Sequence, residues 1–232
     1  MNKQTLILFD VGGVLAKLNF NAFYKKGAEI SYTTIEDFRQ KFVSSKLMEK
    51  AAKGKISKKD YLNGLREILK RRDFTEEQLK EVAGLYCGKK ISKTVKLKEE
   101  IIIKGYAASI FSNTNQVDLE ILKSKYPEIY STSAGIEKIL SFQIGDLKRH
   151  SAMYERVKEL GNFSKIIYID DNYHYLENGV KYGWQGIWLT PFIDSSEVIR
   201  DTKNTDFSYG QIKVVNSIKG LISELKNFEV VI

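Results

Sequence analysis

Two hydrophobic rhythms alternate along this 232-residue chain. Residues 5–10 form a short, almost wholly apolar run that closes on an acid, the pattern of a strand buried on both faces, and Gly12 and Gly13 break it. From residue 21 to about 90 the rhythm turns helical. Ile35, Phe38, Phe42 and Val43 recur at three- and four-residue spacing, and Tyr61, Leu62, Leu65, Ile68 and Leu69 repeat the pattern. Ser57 with Asp60, and Thr75 with Gln78, supply capping boxes for two of these helices, and nothing in the stretch reads as a strand. Downstream the chain alternates: helix over 95–104 closed by Gly105, strand over 106–111, helix over 116–125 stopped by Pro127, and helix over 151–160. A strand over 166–169, a helix over 175–182, a strand over 187–189 and an amphipathic helix over 212–225 complete it. Strands and helices of these lengths predict an α/β fold: a parallel sheet with right-handed crossovers and a helical block inserted after the first strand.

Composition narrows the class. Hydrophobic residues at 43% and aromatics at 12% exclude a disordered or collagen-like chain. The longest apolar runs, 6–9 and 166–169, are far shorter than the ~20 residues of a membrane span. With no signal-peptide pattern at the N-terminus, a cytoplasmic protein with no membrane partner is expected. The single cysteine, Cys87, excludes an internal disulfide and a Cys-rich zinc site, and reads as packing. The net charge of +8 is uneven: residues 16–98 hold 21 basic against 10 acidic side chains, the remainder 16 against 19. These lysines are spread through helical patterns with no nucleic-acid motif, so a solvated helical surface is expected and no nucleic-acid partner. The alternative is a basic lid that focuses anionic substrates. Nothing in the pattern specifies an oligomeric state.

Three strand-like runs end in polar residues: Asp10, then Ser112 and Asn113, then Asp170, Asp171 and Asn172. Strand C-termini of an open parallel sheet share one crevice. Buried acids there are costly unless paired or bound to a cation, and Mg²⁺ with its oxygen ligands suits them.

The segments carry a resemblance. Leu8-Phe9-Asp10-Val11-Gly12-Gly13-Val14-Leu15 resembles the nucleophile motif of the haloacid-dehalogenase-like (HAD-like) hydrolase superfamily, and Phe111-Ser112-Asn113-Thr114-Asn115 its second motif. Residues 141–148, ending in Lys148, are similar to the third motif, and Tyr168-Ile169-Asp170-Asp171-Asn172 to the acidic fourth. The resemblance implies a Rossmann-like core over 1–15 plus 96–232 and a small helical cap over 16–95. It implies a Mg²⁺-dependent phosphatase of small phosphorylated metabolites, sugar phosphates preferred. Asp10 would attack phosphorus and form an aspartyl-phosphate. Mg²⁺ would be held by Asp10, the Gly12 carbonyl and Asp171, with Asp170 a supporting or alternate ligand. Val11, Gly12, Ser112, Asn113 and Lys148 would bind phosphoryl oxygens, Lys148 also serving catalysis.

Two departures qualify the resemblance. Superfamily phosphatases usually carry an aspartate two residues after the nucleophile as general acid; here that residue is Gly12. Good leaving groups such as acyl phosphates, anhydrides and sugar-1-phosphates suffer least from that loss, which is worth roughly 10²–10⁴-fold. Arg149 stands where a proline commonly follows the lysine. A metal-independent haloacid dehalogenase, and an inactive protein binding a partner through its basic cap, are the competing readings. His150 and His174 are expected on the surface, and Phe23, Tyr24 and Tyr86 in the core rather than a cap pocket.

Overall fold

The structure, a computed structural model, describes residues 2–190 and 210–232. β1 (Asn2–Phe9) leads into β2 (Ala16–Leu18), then α1 (Phe20–Ser31), α2 (Ile35–Ser44), α3 (Leu47–Ala52), α4 (Lys58–Leu69), α5 (Glu76–Ala83) and β3 (Cys87–Lys90). The second part runs α6 (Ser92–Ile103), β4 (Tyr106–Ser112), α7 (Gln116–Lys125), a 3-10 turn (Pro127–Tyr130), β5 (Ile139–Leu140), α8 (Ser141–Ile144) and α9 (Ala152–Lys158). It closes with β6 (Lys165–Asp170), α10 (Tyr173–Val180), β7 (Gln185–Leu189), β8 (Ile212–Val215) and α11 (Ile218–Asn227).

Six strands pair in the order β5-β4-β1-β6-β7-β8, every pairing parallel. β1 sits inside the sheet because Leu6, Ile7, Leu8 and Phe9 are fully buried, which only a strand covered on both faces can satisfy. Its side chains alternate between two cores. Leu6 and Leu8 join Phe111, Tyr154, Tyr168 and Trp184 on one face. Ile7 and Phe9 join a core that runs without a break through Val14 and Leu15 into Phe23, Phe38 and Leu65 of the inserted helices. The insert therefore packs onto the sheet through continuous apolar contact, and the antiparallel pair β2–β3 closes its base.

Several expectations shift. Residues 212–225 are not one helix: Ile212–Val215 is a sixth sheet strand beside β7, and Ser217 caps α11 by accepting from the Gly220 amide at 3.1 Å. The β-branched run Ile212-Lys213-Val214-Val215 favours the strand that periodicity alone read as helix. The β2–β3 pair was equally invisible, being three and four residues long. Ile35 and Val43 stand on the outside of α2 while Phe38 and Phe42, one turn apart, face the core. Both capping boxes form as read, Ser57 with Asp60 and Thr75 with Gln78. Not all the lysines of the basic segment are solvated: Lys98 is fully buried. Its ammonium donates to the carbonyls of Glu128 and Ser131 at 3.0 and 2.6 Å, and burial pulls its pKa down to about 8.

Candidate active site

The sheet register sets the site. Phe9 lies between Ile110 of β4 and Ile169 of β6, so the next residues, Asp10 just past β1 and Asp170 at the end of β6, lie side by side. The Asp10 amide donates to the Ile169 carbonyl at 3.0 Å, holding the chain in line past the strand end. Two further loops are bolted together beside them. The Thr114 amide donates to Ser141 Oγ at 2.9 Å, and that hydroxyl donates to the Thr114 carbonyl at 3.0 Å. Gly145, with φ 84°, reverses the chain after α8, and the Lys148 amide then donates to Asn113 Oδ1 at 3.0 Å. The resemblance implies a phosphate-binding role for the Asn113 amide; its side chain positions the Lys148 backbone.

Lys148 is 1% exposed, and its Nζ lies 2.7 Å from both Asp10 Oδ1 and Asp170 Oδ2. Phe111, Tyr168 and Tyr175 surround the ammonium with ring centroids at 5.4, 5.4 and 5.5 Å. Burial opposes the Lys148 charge, but the attraction of Asp10 and Asp170 outweighs it and raises the pKa. Asp170 is fully committed: the Tyr168 phenol shares the oxygen that Lys148 uses, and the Asn172 amide donates to the other at 2.7 Å. Asp171 is different. Its backbone carbonyl accepts from Trp188 Nε1 at 3.0 Å, while its carboxylate takes no hydrogen bond from another described residue. Burial, reinforced by the charges of Asp170 and Asp10, pushes Asp171 up to about 8; burial raises Asp10 to about 6 against the pull of Lys148.

The fold recurs in solved structures. A HAD family enzyme from Bacteroides thetaiotaomicron, in complex with magnesium and inorganic phosphate, superposes with TM-score 0.70 at 17% identity, over 84% of this chain and 99% of that one. A predicted HAD-like family hydrolase from Porphyromonas gingivalis gives 0.66 at 17%, over 87% and 98%. The L-2-haloacid dehalogenase of Xanthobacter autotrophicus gives 0.61 at 13%, over 97% and 99%. This chain has the HAD-like fold. No protein-family profile matches it, and no curated protein does.

On this HAD-like sheet, carboxylate oxygens of Asp10, Asp170 and Asp171 lie within 4.8 Å of one another. Three acids face one lysine, an excess of negative charge that a divalent cation with oxygen ligands fits. The loop is shaped for it. Gly13 has φ 71°, and a Cβ there would overlap the Asp171 carboxylate, so only glycine lets that acid close on the Asp10 loop. The same acids predict a pH response. A carboxyl whose folded pKa exceeds its unfolded value costs stability once ionised, so the metal-free protein loses stability as pH rises from about 4 through 6 to 8. Thermal melts at pH 5 and 8 with EDTA should show the lower midpoint at pH 8, and Mg²⁺ should remove most of the difference.

Asp10, Val11, Gly12, Ser112, Asn113, Lys148 and Asp171 all line one cleft of about 560 Å³ between sheet and insert; Asp170 lies sealed behind Lys148. The Ser112 hydroxyl has only a long 3.5 Å contact to the Asn113 carbonyl, which leaves it open to a ligand. At Gly12 a Cβ would meet Leu18 Cδ1 at 3.0 Å, so a methyl group fills the direction in which an acid at position 12 would project. Arg149 reaches across the cleft mouth to Glu49 of α3 at 2.5 Å. His150 and His174 are on the surface, paired with Asp146 and Glu177. Phe23 is core as expected, while Tyr24 and Tyr86 also line the cleft. Tyr175, Leu18 and Glu49 carried no sequence signal, because each reaches the site only through tertiary packing.

Proposed function

We propose that this chain is a Mg²⁺-dependent phosphohydrolase of small phosphorylated metabolites, sugar phosphates among them, working through an aspartyl-phosphate on Asp10. The observation that carries the reading is the convergence of Lys148, Asp10 and Asp171 at one cleft. Asp10, the Gly12 carbonyl and Asp171 would hold Mg²⁺, which when bound neutralises charge on the phosphoryl oxygens. Lys148 occupies Asp10 Oδ1 and leaves the second carboxylate oxygen to attack phosphorus. The phosphorus–oxygen bond to the leaving group breaks with its electron pair going to that oxygen. The departed oxygen takes a proton from solvent. Water then attacks the phosphorus and gives up a proton to solvent, the bond from phosphorus to Asp10 breaks with its electron pair returning to the carboxylate, and inorganic phosphate is released. Lys148, the Ser112 hydroxyl and the amides of Val11, Gly12 and Asn113 stabilise the equatorial oxygens, the main demand of phosphoryl transfer. Asp170 serves Lys148 rather than the metal, since both its oxygens are engaged. The helices between β2 and β3 act as the cap.

The neighbour from Bacteroides thetaiotaomicron, held with magnesium and inorganic phosphate, supports this reading. A metal-independent dehalogenase is the second reading, favoured by the methyl wall of Leu18 at Gly12 and by a neighbour that is an L-2-haloacid dehalogenase. A panel of phosphate esters, acyl phosphates and 2-haloacids, each with and without Mg²⁺, separates them. Mg²⁺-dependent phosphate release is the expected result. Metal-independent halide release would replace the reading, and no turnover with phosphate binding intact would mean a binding protein.

Position 12 gives a sharper test. Without an acid there, acyl phosphates should be turned over far better than alkyl phosphates. Gly12→Asp combined with Leu18→Ala, which clears the side chain in its path, should raise kcat/KM for alkyl phosphates by about 10²-fold, and acyl phosphates much less. Parallel steady-state assays on the two ester types read the difference.

A further inference from the structure

The insert gives the cleft a wall unlike its sheet side. At about 560 Å³ the cleft is far larger than a phosphoryl group needs, so most of it is left for the rest of the substrate. Leu18 of β2, Tyr24 of α1, Val43 of α2 and Met48 of α3 line it, one side chain from each of four consecutive elements. Leu18 is 46% and Val43 59% exposed, and Tyr24 and Met48 are half-buried. Large apolar side chains that folding leaves uncovered within one cleft mark a surface for a ligand. The insert brings two charged side chains to the same lining. Glu49 is tied to Lys53 and Arg149 at 2.9 and 2.5 Å, and Lys46 is exposed to solvent.

Leu18 also reaches the chemistry. Its Cδ1 stands 3.0 Å from the place of a Cβ at position 12, two residues past Asp10, where an acid for the departing oxygen would project. His150 and His174 do not replace that acid, since both are on the surface and neither lines the cleft. The departing oxygen therefore leaves as an anion before solvent supplies its proton, which is easy only where the charge is delocalised. A phenolate or a carboxylate meets that demand, and the alkoxide of a sugar does not. The wall sets a second demand. Sugar hydroxyls pressed against Leu18 and Val43 lose water and gain no partner, whereas an apolar body is stabilised by covering them.

We propose that the leaving-group end of this cleft selects an aromatic body whose oxygen departs as a stabilised anion, an aryl phosphate or an aromatic acyl phosphate, held by Leu18, Tyr24, Val43 and Met48. This deepens the phosphohydrolase reading above and rests on it, ranking aromatic substrates ahead of sugar phosphates. An aromatic ring meets both demands in one group. Its faces cover the Leu18 and Val43 methyls and meet the Tyr24 ring. As the phosphorus–oxygen bond breaks, the electron pair passes to the leaving oxygen and is shared with the ring of a phenolate or the second oxygen of a carboxylate. Even one methylene-sized apolar contact discriminates by about ten-fold or more.

The test measures kcat/KM in the full chain with Mg²⁺ for two pairs of substrates. Benzoyl and acetyl phosphate both release a carboxylate and differ in the ring. Phenyl and benzyl phosphate both carry the ring, and only the first releases a delocalised anion. Benzoyl phosphate should exceed acetyl phosphate by about ten-fold or more, and phenyl should exceed benzyl phosphate by about 10²-fold. Whichever of phenyl and benzoyl phosphate gains more over its rate in solution names the source, and either upholds the proposal. Leu18→Asn and Val43→Thr should each lower the benzoyl-to-acetyl ratio, the first by about ten-fold. Both positions are exposed, so the variants should melt with the parent. Ile103→Asn, at an exposed position outside the cleft, should leave the ratio alone. Benzoyl no better than acetyl phosphate, benzyl as good as phenyl phosphate, glucose 6-phosphate preferred to both aromatic substrates, or a ratio that neither cleft variant moves overturns the proposal. Calorimetric titration of phenylphosphonate and methylphosphonate, whose carbon–phosphorus bonds this chemistry does not cleave, separates the subsite from catalysis. If no ester is hydrolysed, the phosphohydrolase reading fails, and about ten-fold tighter binding of phenylphosphonate still upholds the apolar subsite; equal binding overturns it.

Discussion

Asp10→Asn should reduce Mg²⁺-dependent phosphate release by on the order of 10³-fold or more while leaving the protein folded. The amide keeps the shape of the carboxylate and can still accept from Lys148 Nζ, now 2.7 Å from Asp10 Oδ1, but it has no anionic oxygen to attack phosphorus. Stability should move the other way. Burial raises the Asp10 pKa to about 6, so its ionised form is held against a cost at neutral pH, and the neutral amide escapes that cost. A variant with the melting temperature of the parent or higher, and with activity lost, separates chemistry from folding. Activity within about ten-fold of the parent would remove Asp10 from the nucleophile's role.

Lys148→Met should be the most damaging single change to stability. The side chain is nearly as long and equally buried, but it leaves Asp10 and Asp170 facing each other without a cation. Stripping one partner from a buried ion pair costs about 3–5 kcal/mol. In a chain of 232 residues that corresponds to a drop in melting temperature of roughly 10 °C. Without the pull of Lys148, Asp10 should bind a proton more tightly, so the loss is smaller at pH 5 than at pH 8. Mg²⁺ should recover part of it, since a divalent cation can meet the same carboxylates. Phosphate release should fall by about 10²–10³-fold, the usual effect of removing one group that stabilises charge in a transition state. Melts at the two pH values, with Mg²⁺ and with EDTA, check the stability terms. A variant as stable as the parent under all four conditions would show that the lysine does not neutralise this cluster.

Much of this architecture can be read before any coordinates are seen, and the reason is local. The strand ending at Asp10 is written as an uninterrupted apolar run, and burial on both faces is what such a run requires. The capping boxes at Ser57 and Thr75 are likewise complete within four residues, so they form wherever the helices go. The alignment of Asp10 with Asp170 follows from parallel register between two strands that each close on an acid. What stayed hidden depends on distant partners. Lys98 resembles its exposed neighbours in sequence, and only the carbonyls of the 3-10 turn after α7 show why it is buried. β8 borrows its stability from β7, a pairing that no periodicity within residues 212–225 announces. Leu18 meets Gly12 because the β2–β3 pair folds back over the Asp10 loop, and the Asn113 side chain finds the Lys148 amide 35 residues away. Asp118 is the clearest instance. In sequence it is one more acid in the first turn of a helix, where an exposed acid is ordinary; in the fold it is buried with an oxygen that has no partner.

The proposed covalent bond between phosphorus and Asp10 can be tested for directly. Protein mixed with acetyl phosphate and Mg²⁺, quenched with borohydride within the first turnover and digested, should carry a reduced side chain at position 10 alone, detected by peptide mass. Phosphate released at full rate with the Asp10 peptide unmodified at every quench time, or reduction at another carboxylate, would contradict it.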